Sequence, residues 1–347
     1  MTGLGASAMQ RLTCLILLCV ASAALVAPAN AQLRAPEAAQ AADARASDDP
    51  LAAIVRVRTR ALQGARSAET LGLRREGSGV LVRDGYVVTI GYLVIEADSV
   101  EVIASDGRAT PATVAGYDHA SGFGLLKLLT AVGGKPLPLG DADALVEREP
   151  AMIARHGGRD GVSLVYVASR RPFSGSWEYR IDSAIYTYPA VPDWSGAALI
   201  NARGELVGIG SLIVGDASGT GEATPGNLFV PVNLLRPILE HLIADGRGPG
   251  PARPWLGLNT EEMRGRLFVT RVSPEGPADR AGLKGGDIVV GVGDDDVASL
   301  GDFYSKVWAR GAAGIEVPLR VLQGMQVKEI TVRSIDRLEY FRGRPTY

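Results

Sequence analysis

GSGVLVRDGYVVT, residues 77–89, holds two β-branched runs separated by Asp84-Gly85. That dipeptide supplies the positive φ angles of a tight two-residue turn, so the stretch predicts an antiparallel hairpin. Similar short apolar runs recur at 99–104, 113–115, 124–128, 151–154, 163–168, 197–201, 205–209 and 228–230, with Gly, Asp, Asn or Pro between them. Many short strands with turn residues between them predict a barrel or a sandwich, hence a mainly β fold. One helix is expected here, over 232–244, where Leu235, Ile238, Leu239 and Leu242 fall at helical spacing despite Pro237.

The chain is 347 residues long, which exceeds one ordinary core and predicts two folded units. With 46% hydrophobic and 21% charged residues it can bury a sizeable core and is neither disordered nor fibrous. Its formal net charge of -2 creates no field to recruit nucleic acid or anionic lipid.

At the N-terminus, Gln10-Arg11 precede an apolar stretch over 12–26, and Ala29-Asn30-Ala31 forms a small-x-small cleavage pattern. This predicts a signal peptide over 1–31; the alternative is an uncleaved anchor, for which the apolar run is short. Both cysteines, Cys14 and Cys19, lie inside it, so a chain cleaved there has no internal disulfide and no cysteine metal site. Residues 32–52 mix Ala, Arg, Asp and Pro without an apolar period and predict a flexible linker. The mature protein is expected in an oxidising compartment, the periplasm being the simplest and secretion the alternative.

Three further pieces turn the hairpin into a specific resemblance. VEVIASDGR follows it, PLGDADAL begins at Pro138, and WSGAALINARGELVGI begins at Trp194. In this order and spacing they resemble the HtrA-type (Deg-like) trypsin-fold serine proteases over roughly residues 56–244. The resemblance implies a trypsin-like double β-barrel at 53–244. Chemistry of that kind needs a hydroxyl nucleophile, an imidazole that takes and returns its proton, and a carboxylate that orients the imidazole. By resemblance the nucleophile position falls on Ser195, the base on Tyr92 and the orienting acid on Gly122. A phenol with an ordinary pKa of about 10 is a poor acceptor for a serine proton, and glycine has no side chain to orient anything. The pair expected to shape the oxyanion hole is Asp193-Trp194, where a non-glycine opposes a positive-φ turn and a carboxylate repels an oxyanion. On this reading Ser195 is a turn residue in an inactive scaffold.

The remaining imidazoles are His119, His156 and His241, none at the family's base position. His119 in YDHASG and His156 in RHGGRDG read as solvated loop residues, and His241 lies on the predicted helix. Lys127 and Lys135 give little support to a serine–lysine dyad. No metal-ligand cluster or phosphate loop is present, and no cofactor is expected.

Residues 245–252, DGRGPGPA, carry no large apolar residue and predict a second linker. Beyond them, PWLGL from Pro254 and SPEGPADRAGLKGGDIVVGV from Ser273 resemble the PDZ domain that follows HtrA-type barrels, implying an α+β PDZ domain at 253–336. Such a domain binds an extended peptide at a sheet edge and receives its terminal carboxylate on loop N–H groups. By resemblance that loop is Trp255, Leu256, Gly257 and Leu258. Phe303 and Val307 lie four apart on one face of the helix opposite; either they line the groove or they belong to the core. The tail 337–347 reads as a frayed terminus.

Two functions follow from the resemblance. One is a pseudoprotease: an adaptor, chaperone or regulator of envelope protein quality control that binds peptide or protein C-termini and misfolded envelope proteins. The other is a serine endopeptidase using Ser195 with an unorthodox base. Homotrimers are implied by the family; nucleic acid, and membrane insertion after cleavage, are not.

Overall fold

A computed structural model describes residues 49–341. The signal peptide expected over 1–31, most of the following linker and the end of the tail lie outside the described residues. Among the described residues, no helix is long and apolar enough to cross a membrane.

Six strands close the first barrel: β1 (Ile54–Ala61), β2 (Arg74–Arg83), β3 (Tyr86–Ile90), β4 (Ala97–Ile103), β5 (Ala109–Tyr117) and β6 (Phe123–Leu128), in the order β1-β2-β3-β6-β5-β4. The hairpin read from Asp84-Gly85 is β2–β3, with Gly85 at φ 75°. Strand β1 was not among the expected runs, yet its Val55, Val57 and Ala61 are buried while Arg58 and Arg60 between them are exposed. Alternating arginines hide the apolar face from any reading that looks for continuous runs.

The second barrel contains β7 (Pro150–Ala154), β8 (Val162–Gly175), β9 (Tyr179–Tyr188), β10 (Ala198–Ile200), β11 (Leu206–Val214) and β12 (Gly226–Pro231), closing as β10-β11-β12-β9-β8-β7. Strands β8 and β9 pair from Tyr166 opposite Tyr188 out to Gly175 opposite Tyr179, leaving Ser176, Trp177 and Glu178 as the hairpin tip. The helix expected over 232–244 is divided. A 3-10 turn covers Val232–Leu234 and the α-helix is only Leu239–Asp245, because Pro237 cannot donate the backbone hydrogen bond a continuous helix needs.

The third unit is a sheet of β13 (Leu258–Met263), β14 (Arg266–Val272), β15 (Ile288–Val292), β17 (Glu316–Gln323) and β18 (Gln326–Arg333) in the order β13-β14-β15-β17-β18, with β16 (Asp295–Asp296) beside β15. Strand β13 is one edge. The helix Leu300–Ala309 covers the sheet, its start capped by the Ser299 hydroxyl on the Asp302 N–H. The fold is therefore mainly β, two closed barrels followed by an α+β sheet domain. The terminal segment is not wholly frayed: Arg337–Tyr340 forms a helical turn, Tyr340 lies 4.7 Å from the Trp255 ring, and its hydroxyl donates to Pro274 O at 2.9 Å.

Candidate functional site

Ser195 sits in the loop between β9 and β10, pressed against the first barrel. Its carbonyl accepts from the Ser78 N–H at 2.8 Å, and the next residue, Gly196, has φ 72°. A Cβ there would lie 2.0 Å from the Ser78 carbonyl oxygen, so only glycine lets the loop approach β2 this closely. Asp193, two residues before Ser195, adopts φ 56°. The expectation that a non-glycine opposes this turn therefore does not hold: a short polar side chain tolerates the left-handed region. Its carboxylate is mostly exposed and lies 3.6 Å from Arg155, while Trp194 Nε1 donates to Ser211 O at 3.2 Å.

Tyr92 enters from the 3-10 turn Gly91–Leu93 after β3. Its Oη lies 2.8 Å from Ser195 Oγ and 2.9 Å from the Ser211 carbonyl oxygen. The phenol has one proton for two contacts, and a carbonyl can only accept. Both are satisfied together when Tyr92 donates to Ser211 and Ser195 donates to Tyr92. Burial pushes the Tyr92 phenol up to about 12, against the opposing hydrogen bonds to Ser195 and Trp194. At pH 7 about one molecule in 10⁵ would carry the phenolate that could take a proton from Ser195. Gly122 lies between β5 and β6 at φ 82°, and a Cβ there would stand 3.1 Å from Tyr179 Oη. That tyrosine is buried and donates to Ser121 O at 2.6 Å, so the space beside Gly122 is filled by an aromatic ring.

The histidines differ from the solvated loop residues expected. His119 is packed among Tyr117, Tyr179 and Arg337, with Nε2 3.3 Å from Glu178 O. Burial first, and then the Arg337 charge, hold its pKa well below the usual imidazole value, so it is neutral. The ring of His156 meets Ser78 Oγ through Nδ1 at 3.0 Å, with Nε2 3.9 Å from Glu76. Local sequence suggested surface loops, whereas docking of the loops onto other elements leaves both rings only partly exposed. A cavity of about 470 Å³ opens beside Ser195, with His119, Tyr179, Leu258 and Tyr340 among its lining residues.

The second constellation is the loop at Leu256, Gly257 and Leu258. Gly257 has φ 83°, which turns three successive N–H groups toward one point. There stands the Glu178 carboxylate from the β8–β9 tip. Leu256 N–H donates to Oε2 at 2.9 Å, and Gly257 and Leu258 N–H donate to Oε1 at 2.7 and 2.9 Å. Glu178 is 3% exposed. Burial pushes its carboxyl up to about 7, even though the three N–H donors and Arg337 favour the charged form. Beside it, the Thr260 N–H of edge strand β13 donates to Ser176 O at 2.9 Å. Tyr304 Oη donates to Gly175 O at 2.7 Å and accepts from the Glu178 N–H at 3.1 Å, and Arg180 Nη1 donates to Gly301 O at 3.0 Å.

Of the residues read from sequence, Leu256, Gly257 and Leu258 present the donors, while the Trp255 ring packs on Tyr340. Phe303 and Val307 are fully buried in the core with Leu256 and Leu258, and the helix's hydrogen bonds to the hairpin come instead from Gly301, Tyr304 and Ser305. Sequence reasoning missed Glu178 and Tyr304. The one local signal was a carboxylate set between Trp177 and Tyr179, where an isolated charge among aromatics needs a partner.

Two closed barrels meeting at a serine corner, followed by a sheet whose edge strand begins in an N–H-rich loop, define a trypsin-like peptidase fold joined to a PDZ domain. Residues 77–209 match the family described as trypsin-like peptidase domain, and residues 254–333 match the PDZ domain. Serine endoprotease DegS of Escherichia coli K12 is 29% identical over 295 residues, covering 78% of this chain and 79% of its own length. A Haemophilus influenzae protein named "Probable periplasmic serine protease do/HhoA-like" is 29% identical over 288 residues. That match covers 78% of this chain, and the chain spans only 60% of that relative and 56% of a Buchnera aphidicola do-like protease. The solved structure "HtrA-type protease AlgW with decapeptide" shares the fold, with a TM-score of 0.51 at 22% identity over 87% of this chain and 99% of its own. The chain joins a trypsin-like peptidase domain to a C-terminal PDZ domain and is similar to HtrA-type serine proteases.

Proposed function

We propose that this chain is an exported pseudoprotease of the HtrA type, which binds protein C-termini through its PDZ domain in envelope protein quality control. The observation that carries the reading is the pairing of the Ser195 hydroxyl with a phenol held near pKa 12, where the resemblance calls for an imidazole. Gly122 supports it, since the position given to the orienting carboxylate faces the Tyr179 ring. The names of two relatives, a probable periplasmic serine protease and a serine endoprotease, support the compartment and the peptidase ancestry. The PDZ match and the N–H-rich loop support capture of a carboxylate-ended peptide. Self-association as a trimer belongs to this reading through the family alone.

A fluorophosphonate probe and a casein digestion assay, run on wild type and Ser195→Ala, test the loss of catalysis. Neither protein is expected to label or to cleave. Labelling or cleavage that vanishes in Ser195→Ala would make the chain an endopeptidase with an unorthodox base.

A further inference from the structure

A peptide captured by a PDZ domain makes two kinds of contact: its terminal carboxylate receives loop N–H groups, and its backbone pairs with the edge strand. Both contacts are already made inside this chain. The Glu178 carboxylate takes the Leu256, Gly257 and Leu258 N–H groups, and the Ser176 carbonyl takes the Thr260 N–H of β13. We propose that the β8–β9 tip is an internal ligand of the PDZ groove, with the Glu178 side chain standing where a protein C-terminus would bind, and that a peptide ending in a free α-carboxylate enters by exchanging with it. This rests on the reading of the groove as a C-terminus site.

Several features fit an occupant that exchanges. Glu178 itself lies at φ 59°, the left-handed position at the end of a three-residue hairpin tip, a conformation uncommon for residues other than glycine. Tyr304 closes the other side of the tip, accepting from the Glu178 N–H and donating to Gly175 O, so one hydroxyl of the opposing helix clamps the hairpin. At neutral pH the internal carboxyl, pushed up to about 7 by burial, is only partly ionised. A peptide α-carboxylate, with an ordinary pKa of about 3.5, would be fully ionised in solution and is the stronger acceptor for the same donors. A closed groove lowers observed affinity by the fraction of molecules that are open, so loosening the tip should raise it.

The full-length chain tests this with a fluorescein-labelled peptide pool, random before a C-terminal leucine, compared with the same pool amidated. Anisotropy should give weak binding of the acid pool to wild type and about tenfold tighter binding to Glu178→Ala. Tyr304→Phe, which keeps Glu178 and every loop donor, should gain about threefold, and the amide pool should gain nothing with any protein. If wild type binds the acid pool and both variants, folded by circular dichroism, bind it no better, the exchange is refuted while capture of C-termini stands. If no protein binds, capture and exchange fail together. Hydrogen exchange at the Leu256, Gly257 and Leu258 amides tests the internal ligand separately. Their protection should fall at least about tenfold in Glu178→Ala, and unchanged protection would overturn it even if peptides bind.

Discussion

At the scale of single residues, the serine corner is constrained by what replaced its partners. Tyr92→His with Gly122→Asp would place an imidazole and a carboxylate at the positions the resemblance assigns. Gly122, however, holds φ 82°, and its missing Cβ faces Tyr179 Oη at 3.1 Å. A new aspartate there meets backbone strain of about 1 kcal/mol and an occupied space, so its carboxylate cannot settle against the imidazole without moving Tyr179. The double variant should melt several degrees below wild type in a thermal scan and digest casein no faster. Family-like proteolysis from the double variant would refute this. Asp193→Gly as a third change removes a carboxylate near the oxyanion position. It does little for the turn, because Asp193 already adopts the positive φ the turn requires.

Among elements, the loop between β9 and β10 does as much for architecture as for chemistry. It carries Ser195 against β2 through the Ser78 N–H, and Gly196 donates to Gly210 O at 2.9 Å. Gly196→Ala would drive a methyl group to 2.0 Å from the Ser78 carbonyl oxygen in a left-handed backbone. The expected cost is at least about 2 kcal/mol, because rigid backbone rather than a flexible side chain must give way. A urea titration should show a lower midpoint at unchanged slope; a midpoint equal to wild type would mean the two barrels are less tightly joined there than their hydrogen bonds indicate. The β8–β9 hairpin is the complementary case. Its base is barrel and its tip is ligand, so one element links a barrel to the PDZ sheet.

For the whole molecule, that link makes stability depend on pH. Glu178 is faced by Arg337 from the C-terminal turn and by Tyr304 from the PDZ helix, and its own carbonyl meets neutral His119. Its carboxyl is raised in the folded state from 4.5 to about 7. The folded chain therefore binds a proton that the unfolded chain releases between those values. The stability Glu178 contributes is full below about pH 4.5 and is lost as pH rises through about 7. His119 runs the other way, since its lowered pKa makes folding less favourable as pH falls below its ordinary value of 6.5. Denaturation of wild type and Glu178→Gln at pH 5 and pH 8 separates the two. The difference in unfolding free energy, wild type minus variant, should be larger at pH 5 by up to about 3 kcal/mol. A difference that stays constant with pH would mean Glu178 is not buried against the loop in solution.

The β architecture was legible in the sequence by itself because its signals are local: Asp84-Gly85 turns a hairpin, and short apolar runs between turn residues become strands. The resemblance of residues 56–244 and of the segments at Pro254 and Ser273 extended that reading to barrels followed by a PDZ domain. It also picked out Ser195, Tyr92 and Gly122 as the residues to inspect. Strand β1, masked by its arginines, and the helix broken at Pro237 were misread for equally local reasons. Only the tertiary structure decided what fills each site. It put a phenol on Ser195, half-buried two histidines that sit in polar, turn-forming sequence, and placed Phe303 and Val307 in the core rather than in the groove. Above all it brought Glu178 to Leu256, Gly257 and Leu258, at sequence separations of 78, 79 and 80 residues. No pattern of period two or 3.6 encodes such a contact. A buried carboxylate is favourable only where donors converge on it, and that convergence exists only after barrel and PDZ sheet have folded against each other.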